Sequence, residues 1–515
     1  MNGPSFTHHC PHGPVLLTRV AVICLGLLSL SFLLLSREDA ATPISKKLKR
    51  ELIADPRGST PFIRRWMHLD LKGAPPRVEY LERVFSLVSS LGVSGIVIEW
   101  EDSFPWTGAL RQIRAPHAYS RGDIDRILNM AADSSLQVVP LIQSFGHLEF
   151  VLKHGKWIHL RERLSEDSAI CPSRNETIDL LREMMKQMRL AHPAATTIHI
   201  GGDEAYFVGE DAECRQRLQS IYNHTIDRLK VDHIARVARS ALSIGFTRVL
   251  AWNDMFDKTP VSILKEFELG RLLTPVVWGY ASDVTVDEYF PHGLFSRLSK
   301  VFPTIWFASA FKGANGKSNP FLSIDRYLSN QQSYVQLFKN VHHDLQTTKV
   351  DGIILTGWSR FSHHSPLCEL LPIAIPSLVL NLVYLQDVKL PLKEVTQETK
   401  RHLDCPSNPP RDLFTYRTFL GDTFYASRET VFTPCSFPEK DLFAAVQELR
   451  FLKWKFSKLP AENEKEWQVL MKEVKEMESK LRPLLSLFVF QPAVEEFFST
   501  HVRPLAIPSP HTIPS

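Results

Sequence analysis

Two carboxylic acids stand side by side at Asp203 and Glu204, at the end of His199-Ile200-Gly201-Gly202-Asp203-Glu204. The segment before them, Thr196–Gly201 (TTIHIG), has the length and β-branched content of a buried strand. Side chains alternate along a strand, so adjacent acids at a strand end point in different directions and can do different work. A carboxyl in a less polar niche has its pKa raised and can donate a proton, while a hydrogen-bonded neighbour stays ionised. Gly201 and Gly202 remove bulk where a substrate ring must come close. A lone Asp-Glu pair is usually a solvated loop; the strand and the two glycines in front of this one make acid–base chemistry the better reading.

Other groups capable of chemistry sit at matching places. Asp70 and Lys72, Glu101 and Asp102, Gln143 and His147, Asn253 and Asp254, Tyr280, Lys312, and Trp358 with Arg360 each end or follow a short apolar run. The runs are Trp66–Leu71, Gly95–Trp100, Gln137–Ile142, Thr196–Gly201, Thr247–Trp252, Thr274–Trp278, Thr304–Ala308 and Gly352–Trp358. Near-continuous apolar strands of this length suit a parallel sheet buried on both faces. Amphipathic stretches such as Arg77–Leu91 and Ile178–Leu190 alternate with them, which is the pattern of βαβ units. Eight such units over residues 61–385 predict a (β/α)8 TIM barrel, whose catalytic groups lie at the C-terminal ends of the strands. A doubly wound open sheet is the alternative, but no GxGxxG follows the first strand. Carboxylates and aromatic rings gathered at one mouth suit a sugar, whose C–H faces stack on indoles and whose hydroxyls need acids, amides and cations.

The remaining sequence bounds the setting. Of 515 residues, 44% are apolar and 23% charged, as in globular proteins. A net charge of +4 over this length gives no support to a nucleic-acid partner. Seven cysteines without a CxxC pair exclude a zinc ribbon. Val20–Ser36 is an uncharged apolar run at the short end of what spans a bilayer. It predicts a transmembrane signal-anchor helix over residues 20–36, behind a short cytosolic tail (1–19) and before a polar stem (37–60). A cleaved signal peptide, with Ala40-Ala41 near the exit, is the competing reading. The sequons at Asn175 and Asn223 favour a type II membrane protein facing the ER or Golgi lumen, or, after cleavage, a secreted or lysosomal one. Lys46, Lys47, Lys49 and Arg50 lie after the run, and counted alone they would put the body in the cytosol. Residues 386–500 read as a mostly helical C-terminal region, with apolar three- and four-residue spacing from Leu442 to Phe498; a cap packed on the barrel is expected rather than a partner-binding coiled coil. Residues 501–515 look like a flexible tail. Cys171, Cys214, Cys368, Cys405 and Cys435 are available for bridges in a lumen, Cys405–Cys435 first because both lie outside the barrel in loop-like sequence.

The HxGGDE pattern resembles that of the β-N-acetylhexosaminidases of glycoside hydrolase family 20. The resemblance extends to His68–Pro76 (HLDLKGAPP), Glu101–Gly108 (EDSFPWTG), Ser144–His154 (SFGHLEFVLKH), Phe307–Ala314 (FASAFKGA) and Gly352–Phe361 (GIILTGWSRF). It implies an exo-acting retaining glycosidase in which the substrate's own 2-acetamido oxygen is the nucleophile, an exception to the two-carboxylate scheme. By motif position Glu204 would be the general acid/base, and Asp203 would hold the acetamido N–H. Trp358 would form the floor of the sugar site and Trp278 the acetamido wall, with Trp252 and Trp306 as further indoles; Tyr280 would donate to the acetamido oxygen, and His147, Asp102 and Asp70 would stand near the sugar. The substrate would be a glycan or glycoconjugate with a terminal N-acetylhexosamine. No cofactor or metal is implied; His342-His343-Asp344 and His363-His364 lack the spacing of a zinc site. Family members often carry an arginine just after the first strand, where Lys72 sits here in a slightly different register. The resemblance alone would imply a nucleocytoplasmic protein, so the apolar run is an addition. A carbohydrate-binding pseudoenzyme is the alternative function, and the intact Asp203-Glu204 pair counts against it. A metal-dependent barrel amidohydrolase lacks its HxH signature here.

Overall fold

The apolar runs form eight parallel strands, because only a sheet covered on both faces can bury sequences such as GIVIE without a polar side. They are β1 (Arg65–Asp70), β2 (Gly95–Glu99), β3 (Gln137–Leu141), β6 (Thr197–His199), β7 (Arg248–Trp252), β8 (Thr274–Trp278), β9 (Thr304–Lys312) and β10 (Lys349–Gly357). β4 (Arg161–Arg163) and β5 (Glu166–Ile170) form a small antiparallel hairpin outside the barrel, in the β3-to-β6 connection. The computed structural model describes residues 57–407, 416–460 and 462–506. In it the strands close as β1-β10-β9-β8-β7-β6-β3-β2, so the doubly wound alternative does not apply. Closure runs through Trp66, which is level with Ile354 of β10 on one side and with Gly95 of β2 on the other.

Most helices of the outer ring bury one stripe each, while Ile375–Gln386 is buried on all sides. They are α1 (Val78–Ser90), α2 (Arg121–Asp133), α3 (Asn175–Ala191), α4 (Ala212–Ser220), α5 (Ile226–Ser243), α6 (Val261–Glu266), α7 (Leu294–Ser299), α8 (Ile324–Val341) and α9 (Ile375–Gln386). In α1 the buried residues Val78, Leu81, Val84, Phe85 and Val88 recur at helical spacing. α2 starts at a capping box, in which Ser120 accepts from the Asp123 N–H and the Asp123 carboxylate accepts from the Ser120 N–H. Inside the barrel, residues of seven of the eight strands meet in an apolar plug: Trp66, Val97, Val139, Leu141, Leu250, Trp252, Val276, Trp306, Ala308 and Ile354. Trp66 and Trp306 lie 4.1 Å apart, centroid to centroid.

Beyond the barrel come α10 (Leu392–His402), the hairpin β11 (Tyr416–Phe419) and β12 (Asp422–Tyr425), and then α11 (Lys440–Lys458), α12 (Glu464–Ser486) and α13 (Gln491–Phe497). They belong with the barrel to one compact unit, Ala54–Ser515. The Arg77 N–H donates to Phe488 O at 2.7 Å and the Arg77 Nε–H to Ser486 O at 2.8 Å. A disulfide joins Cys405 to Cys435. The expected tail (1–19), anchor helix (20–36) and nearly all of the stem (37–60) lie outside the described residues, as does most of 501–515. Among the described residues no helix is long and apolar enough to cross a membrane.

Trp306 fills the lower barrel and is fully buried. Its replacement by alanine should destabilise the barrel by about 3–5 kcal/mol. A denaturant midpoint within error of wild type would contradict the close packing described for this plug.

Candidate active site

β6 delivers the acid pair. His199, its last residue, points into the barrel, and its Nδ1 accepts the Gly201 N–H at 3.0 Å. Burial pushes the His199 ring down to about 3, so it is a neutral acceptor. Gly201 then takes a left-handed conformation, with φ +58°, and a Cβ there would lie 2.0 Å from Gln143 Oε1. That turn swings Asp203 and Glu204 over the mouth. From the β3 side, Gly146 packs so close that its Cβ would lie 2.1 Å from Asp203 O. His147 follows it with φ +54°.

The His147 imidazole bridges the two acids. Its Nε2 lies 3.1 Å from Glu204 Oε2 and 3.5 Å from Asp203 Oδ2. Burial alone would make this ring neutral, but the Asp203 charge and the Glu204 hydrogen bond outweigh it and raise the ring to about 9. Asp203 is pushed up to about 7 by burial, which the nearby His147 only partly offsets. Its Oδ1 is buried without a partner. Glu204 is less buried, and hydrogen bonds from His147 and Tyr206 hold it below the usual carboxylate range despite the desolvation. Of the two adjacent acids, the raised one is Asp203 and the lowered one is Glu204.

Asp254, just past β7, orients the pair. Its Oδ2 accepts the Glu204 N–H at 2.9 Å and its Oδ1 accepts Trp278 Nε1–H at 3.0 Å. One carboxylate therefore fixes both the acid-bearing backbone and the indole opposite. Trp278 stacks on Tyr280, with centroids 5.1 Å apart and an interplanar angle of 26°, and Tyr280 meets Trp358 edge-on at 6.1 Å. These three rings, His147, Asp203, Glu204 and Lys72 line a cavity of about 400 Å³, with Tyr289, Arg326, Arg360 and Phe361 among its other walls. Lys72 is buried against Trp358 at 5.8 Å, and its ammonium lies 3.3 Å from Glu101 and 3.9 Å from Glu99. Glu99 also accepts from Gln143 Nε2 at 3.0 Å and contacts His68 Nε2 at 3.2 Å. Burial opposes its charge, but Lys72 and His68 prevail and hold it down to about 2.

Four expected sugar contacts lie off this wall. Trp252 points inward, but Trp358 covers it at 6.0 Å and His199 flanks it at 4.3 Å, so it lies beneath the floor. Trp306 is deeper still, packed on Trp66. Asp70 turns back to accept the backbone N–H of Lys72 and of Ser359, both at 2.8 Å, tying the end of β1 to the end of β10. Asp102 faces Lys153 at 4.0 Å and His363 at 3.8 Å, outside the cavity. Glu99 and the orienting role of Asp254 escaped the sequence reading. A single carboxylate inside GIVIEW was the available signal for Glu99, because an unpaired charge is not tolerated in a buried strand. Among the described residues two groups bring three metal-type donors together, Glu101/Asp102/His363 and Glu162/Cys171/Cys214. In the first, the Lys153 ammonium lies 2.6 Å from His363 Nε2 and already supplies the cation.

The sequence has known counterparts. The model for "Glycosyl hydrolase family 20, catalytic domain" matches residues 99–286. Hexosaminidase D from Homo sapiens is 42% identical over 327 residues, which cover 62% of this chain and 65% of that protein. Hexosaminidase D from Bos taurus is 41% identical over 323 residues, covering 62% of this chain and 90% of its own length. The chain thus spans about two thirds of the human relative's length and nearly all of the bovine one's. It belongs to glycoside hydrolase family 20, beside the hexosaminidase D proteins. Among solved structures, the β-N-acetylhexosaminidase from Bacteroides fragilis is similar with a TM-score of 0.47 and 15% identity, over 63% of this chain and 66% of that one.

The raised His147 makes a stability prediction. A group bound to its proton more tightly in the fold stabilises it fully below the unfolded pKa, and that stability is lost as pH rises through the folded pKa. For His147 the window runs from about 6.5 to about 9. The thermal midpoint of wild type should exceed that of His147→Gln below this window, and the gap should close across it. A gap that stays constant from pH 6 to 9.5 would show that no proton is held there.

Proposed function

We propose that the chain is an exo-acting β-N-acetylhexosaminidase, releasing terminal non-reducing N-acetylgalactosamine or N-acetylglucosamine with retention. The observation that carries the reading is the Asp203–His147–Glu204 cluster opening into a cavity walled by Trp278, Tyr280 and Trp358. The cavity volume lies toward the lower end of the ~300–1,000 Å³ of ligand pockets and suits one sugar with its acetamido arm. The relatives named hexosaminidase D support the same chemistry.

In this reading the substrate's acetamido oxygen attacks the anomeric carbon while Glu204 protonates the leaving oxygen. Asp203, whose Oδ1 has no partner, accepts the acetamido N–H and stabilises the positive charge of the oxazolinium. Trp278 and Tyr280 pack the methyl end, and Trp358 carries the sugar face. An oriented amide makes the attack intramolecular, where effective molarity supplies much of the acceleration. Asp203 and His147 have raised proton affinities and Glu204 a lowered one. An amide N–H donated to Asp203 favours its anion, and exclusion of water from Glu204 favours its acid. Binding therefore moves a proton toward Glu204, and the His147 Nε2, within reach of both acids, is the group placed to pass it.

The apolar run Val20–Ser36 anchors the enzyme as a type II membrane protein facing the ER or Golgi lumen. Support comes from its length and lack of charge, from the exposure of both sequon asparagines, Asn175 and Asn223, and from the Cys405–Cys435 cystine, a bond of oxidising compartments.

On aryl β-N-acetylgalactosaminide or glucosaminide, wild type should turn over between pH 4 and 7.5. Glu204→Gln should lose about 10²–10⁴-fold in kcat/KM on a natural glycan, and less on the activated aryl glycoside. Asp203→Asn should abolish the tight binding of a thiazoline analogue of the cyclised sugar. No turnover of either aryl substrate by wild type would end the enzyme reading in favour of a binding protein. In cells, an endoglycosidase should shift the mobility of wild type and not of the Asn175→Gln/Asn223→Gln double variant; an unshifted wild type would put the barrel outside the lumen.

A further inference from the structure

Below the acid-bearing loop lies a buried group that the proposed reaction does not use. Cys171 directly follows β5, and Cys214 sits in the first turn of α4. Both are fully buried, with their Sγ atoms 3.4 Å apart. Glu162, on the paired strand β4 and equally buried, lies against them. Its Oε1 accepts the backbone N–H groups of Gly209, Glu210 and Asp211 at 2.7, 2.6 and 3.0 Å, and its Oε2 accepts the Cys214 S–H at 3.1 Å. Arg174 closes the outside through Asp211 at 2.9 Å and Glu213 at 3.1 Å. The segment from Asp203 to Asp211, which carries Glu204 and Tyr206, is therefore held at its far end by this cluster, together with the Arg163–Glu210 ion pair.

We propose that Cys171 and Cys214 are joined by a disulfide in the mature protein, a covalent staple between the β4–β5 hairpin and the segment that carries the acid pair. A disulfide has its sulfurs about 2.05 Å apart, so closure asks for an approach of roughly 1.4 Å. The chain already contains one cystine, Cys405–Cys435, so it matures where such bonds form. The chemistry is thiol–disulfide exchange with a low-molecular-weight or protein disulfide, while the segment is still open. Cys214 gives its proton to Glu162, and its thiolate attacks one sulfur of the oxidant, releasing one thiol. The Cys171 thiolate then attacks Cys214 Sγ and releases the second. Two protein thiols are oxidised by two electrons, one external disulfide is reduced to two thiols, and both protons leave with them. Folding then buries the bond. A zinc ion on the same residues would have three protein donors where a structural site uses four. Both Glu162 oxygens, moreover, already accept hydrogen bonds.

The bond stands independently of the glycosidase reading; only an effect on turnover would rest on it. The test uses the full chain made in the secretory pathway, extracted in detergent, unfolded in N-ethylmaleimide without reductant, digested and mapped by mass spectrometry. The expected result is a peptide pair linking Cys171 to Cys214, two hydrogens lighter than the separate thiol peptides, with neither cysteine alkylated. Recovery of both as alkylated thiols would overturn the proposal, and so would a native mass carrying a zinc ion that a chelator removes. Reductant should also speed limited proteolysis between Asp203 and Cys214 by at least about tenfold in wild type. Cys171→Ser should be cleaved fast with or without reductant. Since Cys405–Cys435 is reduced in both proteins, an equal effect of reductant on the two would sink the staple.

Discussion

The site rests on one electrostatic constraint. Five carboxylates, Glu99, Glu101, Asp203, Glu204 and Asp254, crowd the mouth of the barrel, with Lys72 and His147 as the cations among them. A buried carboxylate is tolerated only when paired, hydrogen-bonded or protonated. The three outcomes are distributed by position. Glu99, with Lys72, His68 and Gln143 around it, is firmly ionised. Glu101 shares Lys72 with other acids, and burial carries it well above the usual range. Asp203 lies between, offset in part by His147. Burial works against the Lys72 charge, but the acids around it outweigh that, so it remains a cation in a place where a lone lysine would not. The graded proton affinities of these acids thus follow from how burial, hydrogen bonds and the charges of Lys72, His68 and His147 are divided among them.

Holding that arrangement strains the backbone at the residues that matter. Glu101, His147 and Glu204 have φ of +44°, +54° and +49°. Non-glycine residues in this region cost on the order of 1–3 kcal/mol each and persist only where their surroundings over-determine them. The surroundings do so here. The Glu204 N–H is held by Asp254, Gly146 packs against Asp203 O, and the Glu162 cluster grips the following residues from Gly209 to Asp211. Gly201 takes up the turn that no side chain could make against Gln143.

Much of this was legible in the sequence, for a physical reason. A strand buried on both faces is apolar over its whole length, so TTIHIG, GIVIEW and TPVVW announce themselves, and barrel geometry then says where function lies. The rim residues Asp203, Glu204, His147, Tyr280 and Trp358 follow from that rule, and Trp278 was implied by the family resemblance. Depth did not. Trp252 ends β7 as Trp278 ends β8, yet the first lies under the floor and the second forms the wall, because the stagger between neighbouring strands is set by closure and not by either strand. Asp70 and Asp102 were misjudged for a related cause: a strand-end acid can turn back on backbone N–H groups or outward to surface cations as readily as inward. The β4–β5 hairpin, RERLSEDSAI, is too polar and too short to show a period of two.

The C-terminal helices are part of the same construction. Arg360 forms one wall of the cavity, and its guanidinium is paired with Glu496 of α13. The other oxygen of Glu496 accepts the Leu367 N–H at 3.0 Å, and His501 Nε2 lies 2.8 Å from Leu367 O. The connection after β10 therefore has its shape set from a helix more than a hundred residues further along the chain. Arg77, at the start of α1, is bound by the backbone of Ser486 and Phe488 in the same way. Without those helices Arg360 would lose the carboxylate that holds it at the cavity wall. The helical region therefore fixes the position of one wall of the cavity, as part of the same compact unit as the barrel.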